Sequence, residues 1–581
     1  MRQLYWITIA GMLVPTMAAV AVVPPTVTPR LVAQLEHSVP AVPVPVLVFF
    51  RDKGIADRAA LDARRLQLSQ RALARRAKCG AAVTFEDLPV CEQYVREIEA
   101  TGARQRQRLN WFNAASFEMT AAQAAAAADL PFVMKIDLLP ARRRTIRPEP
   151  PAASAPGGGS PAPKSHLLDY GPSLTQDSLV NAVICHDSGY SGAGVLVAMF
   201  DNGFRRDHQA FDSIFASGRL VDEWDFCTNA DTVEWASHGT GTWSEAGGYV
   251  PGQLIGPAYG ALWAIYHTED NRFELNVEED HWAAALQRAD SVGADVVSSS
   301  LGYFTFDSSQ QSYSYADMDG STAISSLAAR HAAALGIIVC NAMGNSGPSA
   351  GSLSAPADAD SILAVGNVDS FGMINPGSSR GPTYDGRPKP EVCAQGTNIY
   401  WASWTGASNY THYATGTSCA TPLVAGACAL VLEAHPGWTA LQVREALMMT
   451  ADRSAAPDST TYGWGIIDAW AAIHYDGSGV GHNHPGAAIS PGLRLSCWPN
   501  PSRSAVTLAC AMPRAAEASV SIYDVAGRLV RVLPGVRLPA GGGALRWDGL
   551  DRAGRRAAGG VYLCRLAAAG ATATSKVVLL R

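Results

Sequence analysis

The chain has 581 residues, a formal charge of −6 at neutral pH and a hydrophobic fraction of 48%, with a mean hydropathy of +0.03. This length predicts three or four domains, and the apolar content can fill a large core. The acidic balance disfavours a protein that binds phosphate backbones. We therefore predict no nucleic-acid partner.

The first 21 residues have the pattern of a secretory signal peptide. Arg2 supplies a positive end, residues 4–14 are apolar, and residues 18–21 offer an Ala-x-Ala cleavage site. A transmembrane anchor is the alternative, but Pro15 interrupts the short apolar run, and no other run is long enough to span a bilayer. We therefore predict a secreted or cell-surface protein without a transmembrane anchor.

Residues 44–140 form a separate predicted α+β unit. Residues 44–50 are predicted as a strand, helical patterns cover residues 57–76 and 91–101, and the alanine-rich run 121–128 has high helix propensity. A stretch rich in Pro, Gly, Ala and Ser follows within a predicted linker over residues 141–165. Such a segment cannot bury a core, and it is expected to be accessible to proteases.

Residues 166–475 alternate strand patterns with helix patterns. This alternation predicts an α/β domain with a mostly parallel sheet and helices on both faces. The strands are expected at residues 195–200, 295–299, 337–341 and 362–365, and helices at residues 281–291 and 321–334.

The most informative motif is the run Gly-Thr-Ser-Cys-Ala-Thr-Pro at residues 416–422. The apolar residues after it predict a buried helix, which would place Ser418 where free N–H groups and the helix dipole favour developing negative charge. Pro422 is compatible with the first turn of such a helix. Alone, the motif could be a serine that caps a core helix, because a nucleophilic serine also needs a base and an oxyanion site.

The other parts of such a site occur in order along the chain. The strand at 195–200 delivers Asp201 at its carboxyl end, where α/β sheets place functional groups. His238 begins a segment of small residues, and Asn345 lies in a glycine-rich turn after a strand. Taken singly, Asp201 would be a turn residue and His238 a solvated or core histidine. Their order before Ser418 is that of an Asp-His-Ser triad.

With these four motifs, the region resembles the subtilisin-like serine peptidases, or subtilases. The resemblance implies that Ser418 is the nucleophile and His238 the general base. It also implies that Asp201 is the orienting carboxylate and Asn345 the oxyanion-hole amide. It also implies protein or peptide substrates, whose extended backbone would pair with Ser300, Leu301 and Gly302.

Among the positions that depart from the subtilase pattern, two are close to the predicted triad residues. Gly241 stands where family members commonly carry a second histidine, and Cys419 stands where methionine is usual. Neither change removes a group that the chemistry requires. The prediction is a secreted serine endopeptidase, and a catalytically inactive surface binding protein on the same fold is the alternative.

The unit at residues 44–140 resembles the propeptide of exported subtilases in its position and in short motifs, at residues 49–54, 68–72, 88–90 and 131–133. The resemblance implies a zymogen, in which the propeptide assists folding and then covers the active site until it is cut. The linker at 141–165 is the expected place of that cut.

The C-terminal part changes character. Residues 476–492 form a second predicted linker, and short strands separated by turn residues predict a small antiparallel β-sandwich over residues 493–581. These features resemble the C-terminal sorting domains of type IX secretion. The resemblance implies bacterial secretion machinery as a partner.

No metal ligands are predicted, and no cofactor is required. His482 and His484 have a possible ligand spacing, but no Cys or carboxylate cluster accompanies them, so solvated histidines are expected. A calcium-loop motif is absent from the sequence, although subtilases often bind calcium through dispersed loop oxygens, so a structural calcium ion stays possible. The chain has 11 cysteines, an odd count whose pairing the sequence does not give.

Overall fold

A computed structural model describes residues 26–37, 41–54, 58–139, 166–270, 277–304, 312–476, 494–498, 506–511, 515–524, 528–538, 543–568 and 571–579. The predicted signal peptide (1–21), the linker at 141–165 and residues 477–492 of the second linker lie outside these residues. The chain divides into two compact units between residues 479 and 480, and each unit is described by itself.

The first unit begins with an α+β region built on a four-stranded antiparallel sheet. Its elements are α1 Pro29–His37, β1 Val44–Phe50, α2 Arg58–Gln67, α3 Gln70–Lys78, α4 Glu92–Glu99, β2 Arg104–Leu109, β3 Ala114–Met119, α5 Ala121–Ala128 and β4 Val133–Leu138. The strand order is β2-β3-β1-β4. Leu31 of α1 is fully buried in the same core as Val46 of β1, so this core extends before the predicted start at residue 44.

The predicted helix over residues 57–76 is two helices. Ser69 has an extended backbone, and its Oγ accepts a hydrogen bond from the N–H of Ala72 at 3.0 Å, which starts α3 as a separate helix. The helical periodicity of the sequence continues across Ser69, so the sequence pattern alone predicts one continuous helix.

The rest of the first unit carries a seven-stranded sheet and two small sheets. Their strands are β5 Leu196–Asp201, β6 Leu220–Asp225, β7 Tyr249–Val250, β8 Leu254–Ile255, β9 Leu262–His267, β10 Val296–Ser299, β11 Ile338–Ala342, β12 Leu363–Val368, β13 Val392–Gln395, β14 Ile399–Ala402 and β15 Tyr410–Ala414. The large sheet has the order β13-β12-β11-β10-β5-β9-β6, and every neighbouring pair in it is parallel. The helices of this region are α6 Leu174–Leu179, α7 Ala182–Asp187, α8 Asp212–Ala216, α9 Ser237–Gly247, α10 Val277–Val292, α11 Ile324–Ala334, α12 Thr417–Ala434, α13 Ala440–Met449 and α14 Ala469–Ile473.

Helices cover both faces of this sheet, as predicted. Successive side chains of a strand point to opposite faces. In β5, Val197 and Met199 are buried in a core shared with α9 and α12, whereas Ala198 and Phe200 are buried in a second core shared with α10 and α11. The predicted α/β fold, a parallel sheet with helices on both faces, is therefore confirmed.

The second unit consists of two antiparallel sheets that share one core. Its strands are β16 Arg494–Trp498, β17 Val506–Ala511, β18 Ala516–Asp524, β19 Leu529–Leu538, β20 Gly543–Trp547, β21 Gly560–Ala568 and β22 Ala571–Leu579. The sheets have the orders β16-β17-β20 and β19-β18-β21-β22. Trp547 and Cys564 are fully buried between them, which is the arrangement of a small β-sandwich.

One helix in the described part of the chain is long and apolar enough to cross a membrane. This is α12, with a mean hydropathy of 1.5 over its 18 residues, 89% of which are buried inside the protein. A helix that is apolar on all sides and buried in this way is typical of a protein core, so α12 is assigned as a core helix that packs on the parallel sheet.

Candidate active site

Asp201 and His238 are in direct contact. Asp201 is the last residue of β5 and is fully buried, and its Oδ1 accepts a 2.8 Å hydrogen bond from Nδ1 of His238, the second residue of α9. The other carboxylate oxygen accepts the hydroxyl of Thr242 at 2.9 Å. The imidazole is therefore held with its proton on Nδ1, which leaves Nε2 as the basic nitrogen of the neutral ring.

Two glycines let α9 approach this contact. A Cβ on Gly239 would lie 2.2 Å from the carbonyl oxygen of Gly203 and 2.9 Å from Cβ of Asp201. A Cβ on Gly241 would lie 2.4 Å from the ring of Trp401, whose edge also faces His238 at a centroid distance of 5.9 Å. The departure at Gly241 thus makes room for an indole that packs beside the imidazole.

Ser418 is the second residue of α12, as the sequence predicts, and it is buried with 7% of its surface exposed. A Cβ on Gly416 would meet Oγ of Ser418 at 2.8 Å and Nδ2 of Asn345 at 3.2 Å, so both atoms border the same small space. The N–H of Ser418 belongs to the first turn of α12, where backbone donors have no intrahelical acceptor. Helix α9, which carries His238, packs against α12.

The amide of Asn345 has a fixed orientation. Its Oδ1 accepts the backbone N–H of Thr417 at 2.9 Å and the Thr417 hydroxyl at 3.2 Å. An N–H can only donate, so the oxygen of the amide must face α12 and Nδ2 must face away from Thr417. This arrangement aims a donor at the space beside Ser418 before any substrate is present.

Pro422 is not in the first turn of α12, contrary to the prediction. It is the sixth residue of the helix, and its missing N–H removes the bond that the carbonyl oxygen of Ser418 would normally accept. The hydroxyl of Ser300 donates to that oxygen instead, at 2.8 Å. Ser300 therefore supports the nucleophile turn, a role that the sequence did not indicate.

Replacing Ser300 by alanine should destabilise the protein by about 1–3 kcal/mol, because a buried carbonyl would lose its hydrogen-bond donor. Ser298 is the matched control, since its hydroxyl is buried without a hydrogen-bond partner. Ser298→Ala should be close to neutral. Equal unfolding free energies for the two variants, measured by urea denaturation, would contradict the supporting role of Ser300.

Leu301 and Gly302 follow β10 and reach the surface, Leu301 half-buried and Gly302 exposed. The carbonyl of Leu301 accepts the side-chain amide of Asn341 at 3.0 Å. Pairing of this segment with a substrate backbone stays a prediction.

The N-terminal α+β region packs on α10 and α11 through a shared apolar core and a buried ion cluster. Leu109 and Trp111 share a core with Trp282 of α10. Arg75 and Arg76 of α3 both contact the carboxylate of Asp290, and all three side chains are at least 97% buried. Beside them, Arg76 Nη2 donates to Oδ1 of Asp87 at 2.6 Å. Burial alone would raise the pKa of Asp87, but this hydrogen bond from a cation helps to hold that pKa below its usual value.

The fold and the site define a subtilisin-like serine endopeptidase that is made with a propeptide. The chain belongs to the subtilase family: residues 192–465 match the subtilase family, residues 45–152 match the peptidase S8 propeptide domain of Bacteroidota, and residues 501–572 match the FlgD Ig-like domain.

Two subtilisins are similar to about half of this chain. Subtilisin from Bacillus pumilus is 33% identical over 304 residues, which are 51% of this chain and 96% of that protein. Subtilisin E from Bacillus subtilis (strain 168) is 33% identical over 304 residues, 51% of this chain and 70% of that protein. Among solved structures, fervidolysin from Fervidobacterium pennivorans, a keratinolytic enzyme related to subtilisin, has a TM-score of 0.51 at 18% identity. The match covers 90% of this chain and 70% of that one and shows a shared fold.

Proposed function

We propose that the protein is a secreted serine endopeptidase that hydrolyses peptide bonds in proteins through an Asp201-His238-Ser418 triad and an acyl-enzyme. The observation that carries this proposal is the 2.8 Å contact between Asp201 and His238, whose helix packs against α12 with Ser418 in its first turn. Subtilase membership and the propeptide match support it.

In the proposed mechanism, Nε2 of His238 takes the proton of Ser418 as Oγ attacks the scissile carbonyl carbon. Asp201 stabilises the imidazolium that forms, because its carboxylate already accepts the Nδ1 proton. The oxyanion is stabilised by Nδ2 of Asn345 and the N–H of Ser418. His238 then protonates the leaving amine, and water hydrolyses the acyl-enzyme by the same steps in reverse. These residues supply every proton transfer, and we propose that no cofactor takes part.

Labelling with a fluorophosphonate probe separates this proposal from an inactive binding protein. The probe should attach covalently to Ser418 of the purified mature protein, and mass spectrometry of the labelled peptide should identify the site. Ser418→Ala should not be labelled. A mature wild-type protein that binds peptides but is not labelled would favour the inactive scaffold.

Asn345→Ala should keep the fold and raise the activation barrier by about 2.7–4 kcal/mol, a magnitude measured for an oxyanion-hole amide in a subtilisin. The change removes the donor at the oxyanion position and leaves the triad in place. The measurement is kcat on a chromogenic peptide, with a thermal melt to show that losing the Thr417 contact has not unfolded the nucleophile turn. An unchanged kcat would contradict the role of Asn345.

We further propose that the second unit directs the enzyme to the cell surface through a type IX secretion pathway. The match to an Ig-like domain and the unit's own core support a separable module. A chain truncated after residue 492 should be fully active after purification but should stay inside the native host, as followed by cell fractionation. Lost activity with normal export would refute the sorting role.

A further inference from the structure

A group of potential metal ligands, two of them buried and one half-buried, lies at the carboxyl ends of β6 and β9, outside the triad. It comprises Asp225, the last residue of β6, Cys227 two residues later, and His267, the last residue of β9. One ligand atom from each residue lies within 4.8 Å of the others. Asp225 is fully buried and His267 is 3% exposed.

In His267 and Asp225 the hydrogen bonds leave one potential ligand atom each unused, whereas Sγ of Cys227 lies 3.9 Å from the carbonyl oxygen of His267. Nε2 of His267 donates to the carbonyl oxygen of Glu269 at 2.7 Å, so Nδ1 carries the lone pair of the neutral ring. Oδ1 of Asp225 accepts the N–H groups of Cys227 and Thr228, each at 2.9 Å, which fixes the turn and leaves Oδ2.

Oδ2 of Asp225 and Nδ1 of His267 face each other at 2.9 Å, the distance of an ion pair, although their contact does not have the geometry of a hydrogen bond. Two buried acceptors that face each other repel unless a proton or a cation lies between them. The thiol of Cys227 beside them is the feature that distinguishes a metal site from a plain ion pair.

We propose that Asp225, Cys227 and His267 bind a zinc ion. Zinc bonds of about 2.0–2.3 Å to oxygen, nitrogen and sulfur place tetrahedral ligand atoms roughly 3.3–3.7 Å apart, which small side-chain rotations reach from the present positions. A thiolate with an imidazole and a carboxylate favours zinc over calcium or magnesium, which prefer oxygen ligands alone. Binding releases the thiol proton of Cys227 to solvent.

His281 supports the sulfur of this site. Its Nε2 lies 3.0 Å from Nη2 of Arg106, which can only donate, so the ring proton is on Nδ1. That nitrogen lies 3.7 Å from Sγ of Cys227 and can donate to a thiolate. Arg106 belongs to β2 of the propeptide, so the propeptide contacts the proposed metal site through this imidazole.

The site lies one strand away from the catalytic carboxylate. His267 and Asp201 are register partners in the parallel pairing of β9 with β5, and the N–H of Thr268 donates to the carbonyl oxygen of Asp201 at 2.9 Å. A bound ion would join the ends of β6 and β9. Because β9 pairs with β5, the ion would thereby stabilise the neighbour of the strand that carries Asp201. The ion would be structural and would take no part in bond cleavage.

The test uses the full chain carrying Ser418→Ala, so that its result does not depend on proteolytic activity. This protein, dialysed against zinc and then against buffer, should retain stoichiometric zinc by elemental analysis. Cys227→Ser and His267→Asn should lose it, and His281→Asn should weaken zinc binding about 10–100-fold. Cys185→Ser is the matched control, because Cys185 is a free cysteine outside the group whose thiol bonds to the carbonyl oxygen of Asn181, and this variant should retain the metal.

A second experiment, with cobalt, uses only the parent protein, so its result does not depend on whether the variants fold. Co²⁺ added to the metal-free protein should produce a thiolate-to-metal charge-transfer band, and bound zinc should protect Cys227 from alkylation. A pyridyl chelator that removes zinc and leaves calcium should lower the melting temperature of this protein but not that of Cys227→Ser. A parent protein with no zinc and no cobalt band would overturn the proposal and assign Asp225 and His267 as an ion pair.

Discussion

Ser418→Ala should abolish peptide hydrolysis, with a loss of about 10⁶-fold in kcat, the magnitude measured for the equivalent change in a subtilisin. The loss is large because the hydroxyl is the nucleophile of the proposed acyl-enzyme and no neighbouring group can replace it. If the propeptide is removed by the enzyme itself, the variant should also accumulate as an unprocessed precursor. Gel analysis of the purified protein and kcat on a chromogenic peptide check both parts.

Ser300→Ala is the control for this change, because Ser300 contacts the Ser418 carbonyl and not the reacting atoms. It should remain measurably active and be processed. Normal hydrolysis by Ser418→Ala would contradict the assignment of the nucleophile. A precursor that is still cut in a fully inactive Ser418→Ala protein would show that another protease matures it.

Asp290→Asn should strongly weaken the binding of the propeptide to the peptidase region. The change leaves Arg75 and Arg76 buried beside α10 without the carboxylate that both contact. Removing one partner of a buried ion cluster costs about 3–5 kcal/mol, because the remaining charges stay desolvated. Hydrogen exchange of the amides of α3 in the Ser418→Ala background would measure this loss as a lower free energy of local opening.

Glu86→Gln is the matched control for that experiment. Glu86 also joins the propeptide to the peptidase region, through a 3.8 Å contact with His331, but its side chain is 61% exposed. An exposed pair of this kind contributes about 0–1 kcal/mol. Equal protection of α3 in the two variants would show that the buried cluster does not hold the propeptide.

The sequence predicted the parts of the site that lie at the ends of regular elements. A hydrophobic strand that ends in Asp201 and a serine that begins an apolar helix are local patterns, and the structure contains both elements. The motifs could not give the donor to the Ser418 carbonyl, because Ser300 is 118 residues away and meets α12 only after the sheet has formed.

Two other features depended on packing that no local pattern shows. Helix α1 is short and follows a proline-rich stretch, and it is stabilised by the burial of Leu31 against the sheet. Cys227 and His267 lie 40 residues apart, and parallel pairing of β6 with β9 brings them together. A close spacing such as that of His482 and His484 is visible in the sequence, whereas ligands that strand pairing brings together are not.

The shared core of the propeptide with α10 has a consequence for activation. Cleavage at any point in the linker breaks one covalent bond but leaves Trp111 and Trp282 in their shared core and the cluster at Asp290 intact. The cut fragment then becomes a separate ligand, whose occupancy follows mass action. With the proposed secretion and with a bound propeptide that covers the site, activity should appear late in a concentrated sample and early in a dilute one, so dilution after release from the cell would activate the enzyme.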